Sequence, residues 1–215
     1  MTSPLITVLT KAPLAGRVKT RLSPALGLEG AAQLHSALVD ATLDLLSQTD
    51  VPYRVAVGSD PEGQFEQMLR STGIQTMRQA PGDLGHKMRA VLTGAGRRVA
   101  IGTDCVVFDP AWLRRAAQSQ DAVAIAPSED GGYWALSVDG NAPQTLYDAL
   151  FEDIPWSTAE VLSATLARCA RLGISVDLLP TCYDIDLPSD LSRLLHDPRC
   201  PSPVRSLLES LPCLL

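Results

Sequence analysis

Apolar and polar positions change repeatedly between two periods along the chain, which predicts strands and helices that follow one another. Short apolar runs such as Leu5–Leu9, Tyr53–Gly58 and Val99–Gly102 are typical of buried parallel strands. Between them, apolar residues recur every three or four positions, most clearly over Leu28–Gln48, which predicts a long amphipathic helix. This alternation indicates an α/β protein with a mainly parallel central sheet.

The remaining elements follow the same pattern. Further strands are predicted at Ile74–Met77, Ala122–Ala126, Tyr133–Val138 and Ile174–Leu179. Further helices are predicted at Asp60–Gly73, His86–Gly94, Asp109–Gln120, Thr158–Leu172 and Pro188–His196, with one short helix within Pro201–Leu215. No repeat, low-complexity stretch or linker divides the chain, so we expect a single domain over residues 1–215.

Composition narrows the classes of function. With 46% hydrophobic and 20% charged residues, the chain is ordinary for a soluble globular protein. A net charge of −6 argues against non-specific binding to nucleic acid. The five cysteines form no CxxC pair, which argues against a zinc site or a disulfide framework. No basic leader and no apolar run of membrane-spanning length is present, so we expect a cytoplasmic protein without a membrane segment.

A basic loop follows the first strand. It contains four cations, together with Pro13 and Gly16: Lys11, Arg17, Lys19 and Arg21. A strand, a flexible loop with cations and then a helix are typical of a phosphate site at the carboxyl edge of an α/β sheet. On an extended loop, residues two apart point the same way, so Arg17, Lys19 and Arg21 could face one polyanion. A solvated basic loop is the alternative, and no Gly-Lys-Ser/Thr closes a Walker motif.

Three aspartates occupy positions suited to a divalent ion. Asp104 directly follows the predicted strand Val99–Gly102, where ligands of open α/β sheets bind. Asp184 and Asp186 are spaced by two, so they project from one side of an extended segment. Carboxylates there would coordinate Mg²⁺ or Mn²⁺ that bridges to phosphate oxygens. The alternative is that Asp104 lies in a loop or caps a helix, and that Asp186 or Asp190 caps the helix beginning near Pro188.

A glycine turn and a tryptophan complete the candidates. Asp130, Gly131 and Gly132 separate two predicted strands, and glycines allow close approach of backbone to a ligand, although Asp-Gly also favours a plain hairpin. Trp156 lies in a loop before a helix and is the best candidate for stacking on a base or sugar. His35 is expected to be a surface or packed residue.

Taken together, these motifs resemble the DUF2064 family of bacterial glycosyltransferase-like proteins, which belongs to the nucleotide-diphospho-sugar transferase superfamily with the GT-A fold. The matching blocks are Lys11-Ala12-Pro13 with Gly16, Val18–Leu22, Gly82–Gly85 with Met88, Gly102–Cys105, Pro127, Asp130–Tyr133, Phe151 with Ile154–Thr158, and Asp184–Asp186 with Pro188, Asp190 and Leu191. They cover most of the chain in the family's order. Three positions depart from the usual pattern: Lys87, Val106 and Trp134. The changes at Lys87 and Trp134 put the nucleotide or acceptor preference in doubt.

The resemblance implies a Rossmann-like, three-layer α/β/α GT-A domain and a set of site residues. The same layout is similar to the guanylyltransferases of deazaflavin-cofactor synthesis, which implies metal ligation by Asp104, Asp184 and Asp186, and phosphate contacts by Lys19 and Arg21. The motifs further imply nucleotide-binding roles for Lys11, Gly16, Asp83, Gly85, Gly131, Gly132 and Trp156.

Three functions remain open from the sequence. The leading one is a Mg²⁺- or Mn²⁺-dependent transferase acting on a nucleoside-diphosphate sugar and a small-molecule acceptor, with Asp104 on the metal and Asp130 as the base that deprotonates the acceptor. The second is nucleotidyl transfer from an NTP to a phosphorylated small molecule, with release of pyrophosphate. The third is a nucleotide-binding module without turnover. The leucine-rich tail could pack on the body or on a second copy, so a homodimer also stays open.

Overall fold

The computed structural model describes residues 2–211, which form alternating strands and helices. The strands are β1 (Leu5–Lys11), β2 (Tyr53–Gly58), β3 (Thr76–Arg78), β4 (Arg98–Ile101), β5 (Val123–Pro127), β6 (Tyr133–Val138) and β7 (Val176–Leu178). The helices are α1 (Ser23–Ser47), α2 (Gln64–Ser71), α3 (Leu84–Leu92), α4 (Pro110–Gln118), α5 (Gln144–Phe151), α6 (Val161–Arg171), α7 (Pro188–His196) and α8 (Ser202–Glu209).

All seven strands join one mixed sheet in the order β3-β2-β1-β4-β6-β5-β7. Every neighbouring pair is parallel except those of β6, which runs antiparallel to β4 and to β5. The carboxyl ends of β1, β4, β5 and β7 therefore meet at one edge, together with the turn that leads into β6. The prediction of a mainly parallel sheet is confirmed.

Helices cover both faces of the sheet. Ile6 and Val8 of β1 pack into a core with α1, α2, α4, α7 and α8, whereas Leu9 and Ala100 pack with α3, α5 and α6 on the other face. Successive residues of a strand point to opposite faces, so the apolar run of β1 feeds both cores. The result is the expected three-layer α/β/α arrangement.

Two helices differ from the sequence pattern. The periodicity predicts no helix between β6 and α6, yet α5 lies there and buries Leu146, Tyr147, Leu150 and Phe151. Their spacing of three and four is helical, but the helix has only eight residues and follows a loop rich in turn formers. Helix α1 begins at Ser23 rather than near Leu28, because a first turn with proline joins it across a kink at Gly27 (φ 71°, ψ 171°).

Other predictions concern cysteines, the tail and membranes. Cys105, Cys169, Cys182 and Cys200 are free and buried, while Cys213 lies outside the described residues. Within the predicted range Pro201–Leu215, helix α8 forms as expected, and positions 212–215 are outside the described part. None of the helices in residues 2–211 combines the length and apolar character needed to cross a membrane.

Candidate functional site

A cleft of about 730 Å³ opens at the carboxyl edge of the sheet. Its walls come from the end of β1 and the basic loop, the end of β4, the β5–β6 turn, the loop before α6 and the segment after β7. Nine residues that the sequence predicts as site residues line it: Lys11, Lys19, Arg21, Asp104, Asp130, Gly132, Trp156, Asp184 and Asp186. Its volume is in the range of small-molecule and cofactor sites.

An ion cluster built around Lys19 lies in this cleft. The Lys19 Nζ forms an ion pair with Asp104, lies 3.1 Å from Asp186 Oδ1 and donates a hydrogen bond of 2.7 Å to the carbonyl of Ile185. The lysine side chain is only 4% exposed, whereas those of Asp104 and Asp186 are 48% and 43% exposed. Burial alone would lower the pKa of Lys19, but the two carboxylates raise it above its ordinary value, so the ammonium stays charged.

The backbone of the basic loop turns Lys19 inward. The sequence predicts an extended loop, but the structure shows turns instead. They are closed by hydrogen bonds from Arg17 N to Leu14 O and from Leu22 N to Lys19 O, both 2.9 Å. Lys19 itself has a φ of 46°, a left-handed conformation that non-glycine residues rarely adopt. Buried Val18 anchors the loop beside it. Arg17 and Arg21 still line the cleft, but both are exposed.

Three backbone N–H groups hold the segment Asp184–Leu187 in place. Ile185 N donates to the carbonyl of Asp104 (2.9 Å), which ties the segment after β7 to the end of β4. Asp190 Oδ2 accepts hydrogen bonds from the backbone of Asp186 (2.9 Å) and Leu187 (2.7 Å). The predicted helix-capping role therefore belongs to Asp190, and the Asp186 side chain remains available to the cleft.

Asp184 is a partly buried carboxylate that also lines the cleft. Burial, followed by the negative charges of Asp104, Asp130 and Asp186, raises the pKa of Asp184 to about 7. Asp184 therefore lies among three other carboxylates, and the buried Lys19 is a cation that offsets their charge.

Carboxylate oxygens have the hard donor chemistry that Mg²⁺ and Mn²⁺ prefer. Within residues 2–211, however, no three side chains of His, Cys, Asp or Glu converge closely enough to hold one ion. The Lys19 ammonium contacts two of the candidate ligands, Asp104 and Asp186. The donor set thus fits the expected ion in chemistry, while a lysine occupies the place between two of its members.

The turn between β5 and β6 is both a hairpin and part of the cleft wall. Asp130 Oδ1 accepts hydrogen bonds from Gly132 N (3.0 Å) and from the hydroxyl of Ser128. This leaves the second carboxylate oxygen of Asp130 without a hydrogen bond to the described residues. Gly132 lines the cleft beside it.

Four of the predicted nucleotide-binding residues do not line the cleft: Gly16, Asp83, Gly85 and Gly131. Asp83 instead caps α3 by accepting a hydrogen bond from His86 N (2.9 Å). Gly131 has a φ of 88°, and a Cβ there would overlap the backbone of Ala159 in the loop before α6. In this structure their glycine or capping chemistry serves packing around the site.

The position of Trp156 requires a glycine at position 85. A Cβ on Gly85 would overlap the indole of Trp156, which packs directly over the start of α3. Trp156 also stacks on Phe151, with ring centroids 6.4 Å apart, and meets Tyr133 edge to face at 6.5 Å. The predicted stacking residue is thus a partly buried, fixed wall of the cleft. Gly16 has a φ of 73° and faces the side chain of Leu28 outside the cleft.

Several cleft residues escape the sequence patterns. His35 is the predicted packed histidine, but it lies under the cleft, with Nε2 3.1 Å from the carbonyl of Lys11 and 3.3 Å from the Thr10 hydroxyl. Burial lowers the pKa of His35. Gln79 lies at the end of β3, and its amide donates to the carbonyls of Thr10 and Ala56, both at 2.9 Å. The strand ends provide a signal for Thr10 and Gln79, whereas His35 has none in the sequence.

Solved structures of other proteins share this fold. A candidate nucleotide-diphospho-sugar transferase from Desulfovibrio desulfuricans G20 is 25% identical, with a TM-score of 0.89 over 100% of this chain and 97% of its own. The inositol-1-phosphate CTP transferase of T. maritima is 15% identical, with a TM-score of 0.60 over 98% and 97%. A nucleotidyl transferase from Methanothermobacter is 18% identical, with a TM-score of 0.62 over 90% and 96%. The fold is therefore the Rossmann-like one of nucleotidyl and nucleotide-sugar transferases.

Comparison of the sequence with protein families agrees with the resemblance found in the motifs. No protein of curated function matches the chain. Residues 38–158, more than half of the chain, match the family described as uncharacterized proteins conserved in bacteria (DUF2064). With the resemblance carried by its motifs and the cleft that those motifs build, the chain belongs to the DUF2064 family.

Proposed function

We propose that this protein is a divalent-metal-dependent transferase that uses a nucleoside-diphosphate sugar as donor. One observation carries the proposal: cations of the basic loop and carboxylates from two strand ends line one cleft at the carboxyl edge of the sheet. A diphosphate requires such cations, and a metal that bridges it requires such carboxylates. The similarity to the nucleotide-diphospho-sugar transferase candidate of D. desulfuricans supports the donor class.

The residues divide into two groups by charge. Lys11, Lys19 and Arg21 would contact the phosphates and stabilise the charge that develops on the leaving diphosphate. Asp104, Asp184 and Asp186 would hold Mg²⁺ or Mn²⁺, which would neutralise the same charge when bound.

Asp130 would supply the base for transfer to a hydroxyl acceptor. A sugar transfer that inverts configuration requires a carboxylate to take the proton of the attacking hydroxyl. Asp130 is exposed and lines the cleft, and the hairpin holds only one of its two oxygens. The fixed indole of Trp156 would shape the same side of the cleft for the sugar or acceptor.

Nucleotidyl transfer is the second candidate, and the state of Asp130 favours it. Oδ1 of this aspartate is engaged by Ser128 and Gly132, which reduces its freedom to act as a base. A phosphorylated acceptor is already ionised and needs no base, so the same cations and carboxylates would suffice. In that reaction an NTP would lose pyrophosphate.

Product analysis separates these candidates. The protein is incubated with Mn²⁺, a small panel of sugar and sugar-phosphate acceptors, and either nucleoside-diphosphate sugars or NTPs. Free nucleoside diphosphate formed only with a sugar nucleotide supports the proposal, whereas pyrophosphate formed from an NTP supports the second candidate. Nucleotide binding by thermal shift with neither product would indicate a binding module and would contradict both.

A further inference from the structure

The Lys19 ammonium is surrounded by oxygen atoms, as a bound metal ion would be. Three oxygen atoms surround its Nζ, one each from the Asp104 carboxylate, the Asp186 carboxylate and the Ile185 carbonyl. An ammonium has three N–H donors, so these oxygens can satisfy all of them. Because its side chain is 4% exposed, water contributes little to this arrangement.

The same oxygens are those that a divalent ion would use. Asp104 Oδ1 and Asp186 Oδ1 both face the ammonium, and a dication bound to them would lie at contact distance from Lys19. Two cations at that separation repel strongly in a partly desolvated site. The ammonium and the ion therefore compete for these carboxylates.

The backbone around Lys19 is suited to release. Its left-handed φ of 46° is sparsely populated for a residue with a side chain and persists only where surrounding contacts maintain it. Val18 and Leu22 on either side are buried, at 4% and 0% exposure, and would keep the loop attached while the lysine changes partner. Arg17 and Arg21 flank the same opening and would attract an anion towards it.

We propose that Lys19 is an internal counter-ion that keeps Mg²⁺ or Mn²⁺ out of the free protein and leaves the carboxylates when a phosphate group arrives. Nucleotide and ion then bind cooperatively. The phosphate draws Lys19 away from the carboxylates that the ion needs, and the ion neutralises the carboxylates that hold Lys19. The exclusion of the ion rests on Lys19 as the buried partner of the aspartates, while the exposed Arg21 lies 3.9 Å from the second oxygen of Asp186. The release by phosphate rests on the proposed function.

Mn²⁺ binding without nucleotide tests the exclusion directly. Metal-free wild type, Lys19→Met and Lys19→Gln are titrated with Mn²⁺, and free ion is measured by electron paramagnetic resonance. We expect both variants to bind Mn²⁺ at least about tenfold more tightly than the wild type. Lys19→Gln keeps an N–H for the Ile185 carbonyl, which protects the fold if the Met variant is unstable.

Lys11→Met is the matched control. Lys11 also lines the cleft, but it forms no ion pair with a described residue. A general gain in negative charge would tighten Mn²⁺ binding equally in this variant. Displacement from specific oxygens would leave it within about threefold of the wild type. Folded Lys19 variants that bind Mn²⁺ no better than the wild type would overturn the proposal, whatever the fate of the transferase assignment.

A second titration examines release in the wild type. Mn²⁺ binding is measured with and without UDP or GDP, after subtraction of the ion bound by the nucleotide alone. We expect the nucleotide to tighten Mn²⁺ binding about tenfold or more in the wild type and much less in Lys19→Gln. A nucleotide that binds both proteins and shifts their Mn²⁺ affinity equally would refute the release step. A nucleotide that binds neither would refute the proposed function and leave the exclusion result standing.

Discussion

The segment from Cys182 to Asp197 carries charges on two sides, and the two sides behave differently. On the inner side, burial and neighbouring carboxylates raise the pKa of Asp184 to about 7. On the outer side, hydrogen bonds from Arg199 lower the pKa of Asp197 to about 2. The first environment opposes a negative charge and the second favours it. The cleft therefore keeps charges that cost stability, as sites that bind ions and phosphates do, while the outer surface pairs its charges.

Geometry accounts for the difference. Outside the cleft, the Arg193 guanidinium donates two hydrogen bonds of 2.6 and 2.7 Å to the Glu129 carboxylate. Its Cζ lies 3.7 Å from the centroid of the Tyr183 ring. The Tyr183 hydroxyl contacts Asp197 Oδ2 at 3.1 Å. Here each charge has a partner of opposite sign. In the cleft, Lys19 alone is buried among several aspartates.

The largest effect should come from the inner side. Asp104→Asn removes the carboxylate that both pairs with Lys19 and would ligate the metal, so we expect kcat to fall by about 10²–10³-fold or more. Glu129→Gln, on the outer side, removes a carboxylate of similar exposure and should change kcat little. Steady-state kinetics with the donor identified by product analysis measures both. Near-normal turnover in Asp104→Asn would remove the functional distinction between the two sides.

A smaller effect of opposite sign is expected for stability. Asp184→Asn in metal-free protein removes a charge buried among Asp104, Asp130 and Asp186, so the melting temperature in EDTA should rise by a few degrees. Glu29→Gln, exposed on α1, serves as the control and should not raise it. Differential scanning calorimetry gives the comparison. A fall in melting temperature would mean that the Asp184 carboxylate is stabilised by favourable partners, as the charges on the outer side are.

The sequence predicts the frame of the molecule because its signals are local. Apolar runs such as that of β1 specify buried strands, and the bounds of β2, β6 and α7 agree with the pattern. Strand ends then bring Asp104, Asp184 and Asp186 to one edge, as the topology of a parallel sheet requires. This much follows from periodicity and position alone.

Features set by tertiary contact could not be read in this way. The burial of Lys19 depends on a left-handed residue in a loop and on a segment more than 160 positions later in the chain. Gly131 reads as a ligand-contacting glycine, but its need for glycine comes from the backbone of Ala159. His35 reaches the cleft from α1, where an apolar helix face gives no hint of a site. The sequence pattern therefore predicts which side chains lie at the carboxyl edge of the sheet. Tertiary packing determines which groups they contact there.

A loss of stability should come from the outer side, and its dependence on pH identifies it. Asp197 accepts hydrogen bonds from Arg199 N (2.9 Å) and Arg199 Nη2 (2.7 Å), and Asp197→Asn should lower the free energy of unfolding by roughly 1–2 kcal/mol at pH 7. The folded pKa of about 2 lies below the value of about 3.9 expected for an unfolded aspartate. The contribution is therefore complete above about pH 4 and is lost as the pH falls towards 2. Urea denaturation at pH 7 and at pH 3 should show a difference between wild type and variant that shrinks at the lower pH. A difference that is constant with pH would mean that Asp197 contributes through shape rather than charge, and the contrast between the two sides would then rest on Asp184 alone.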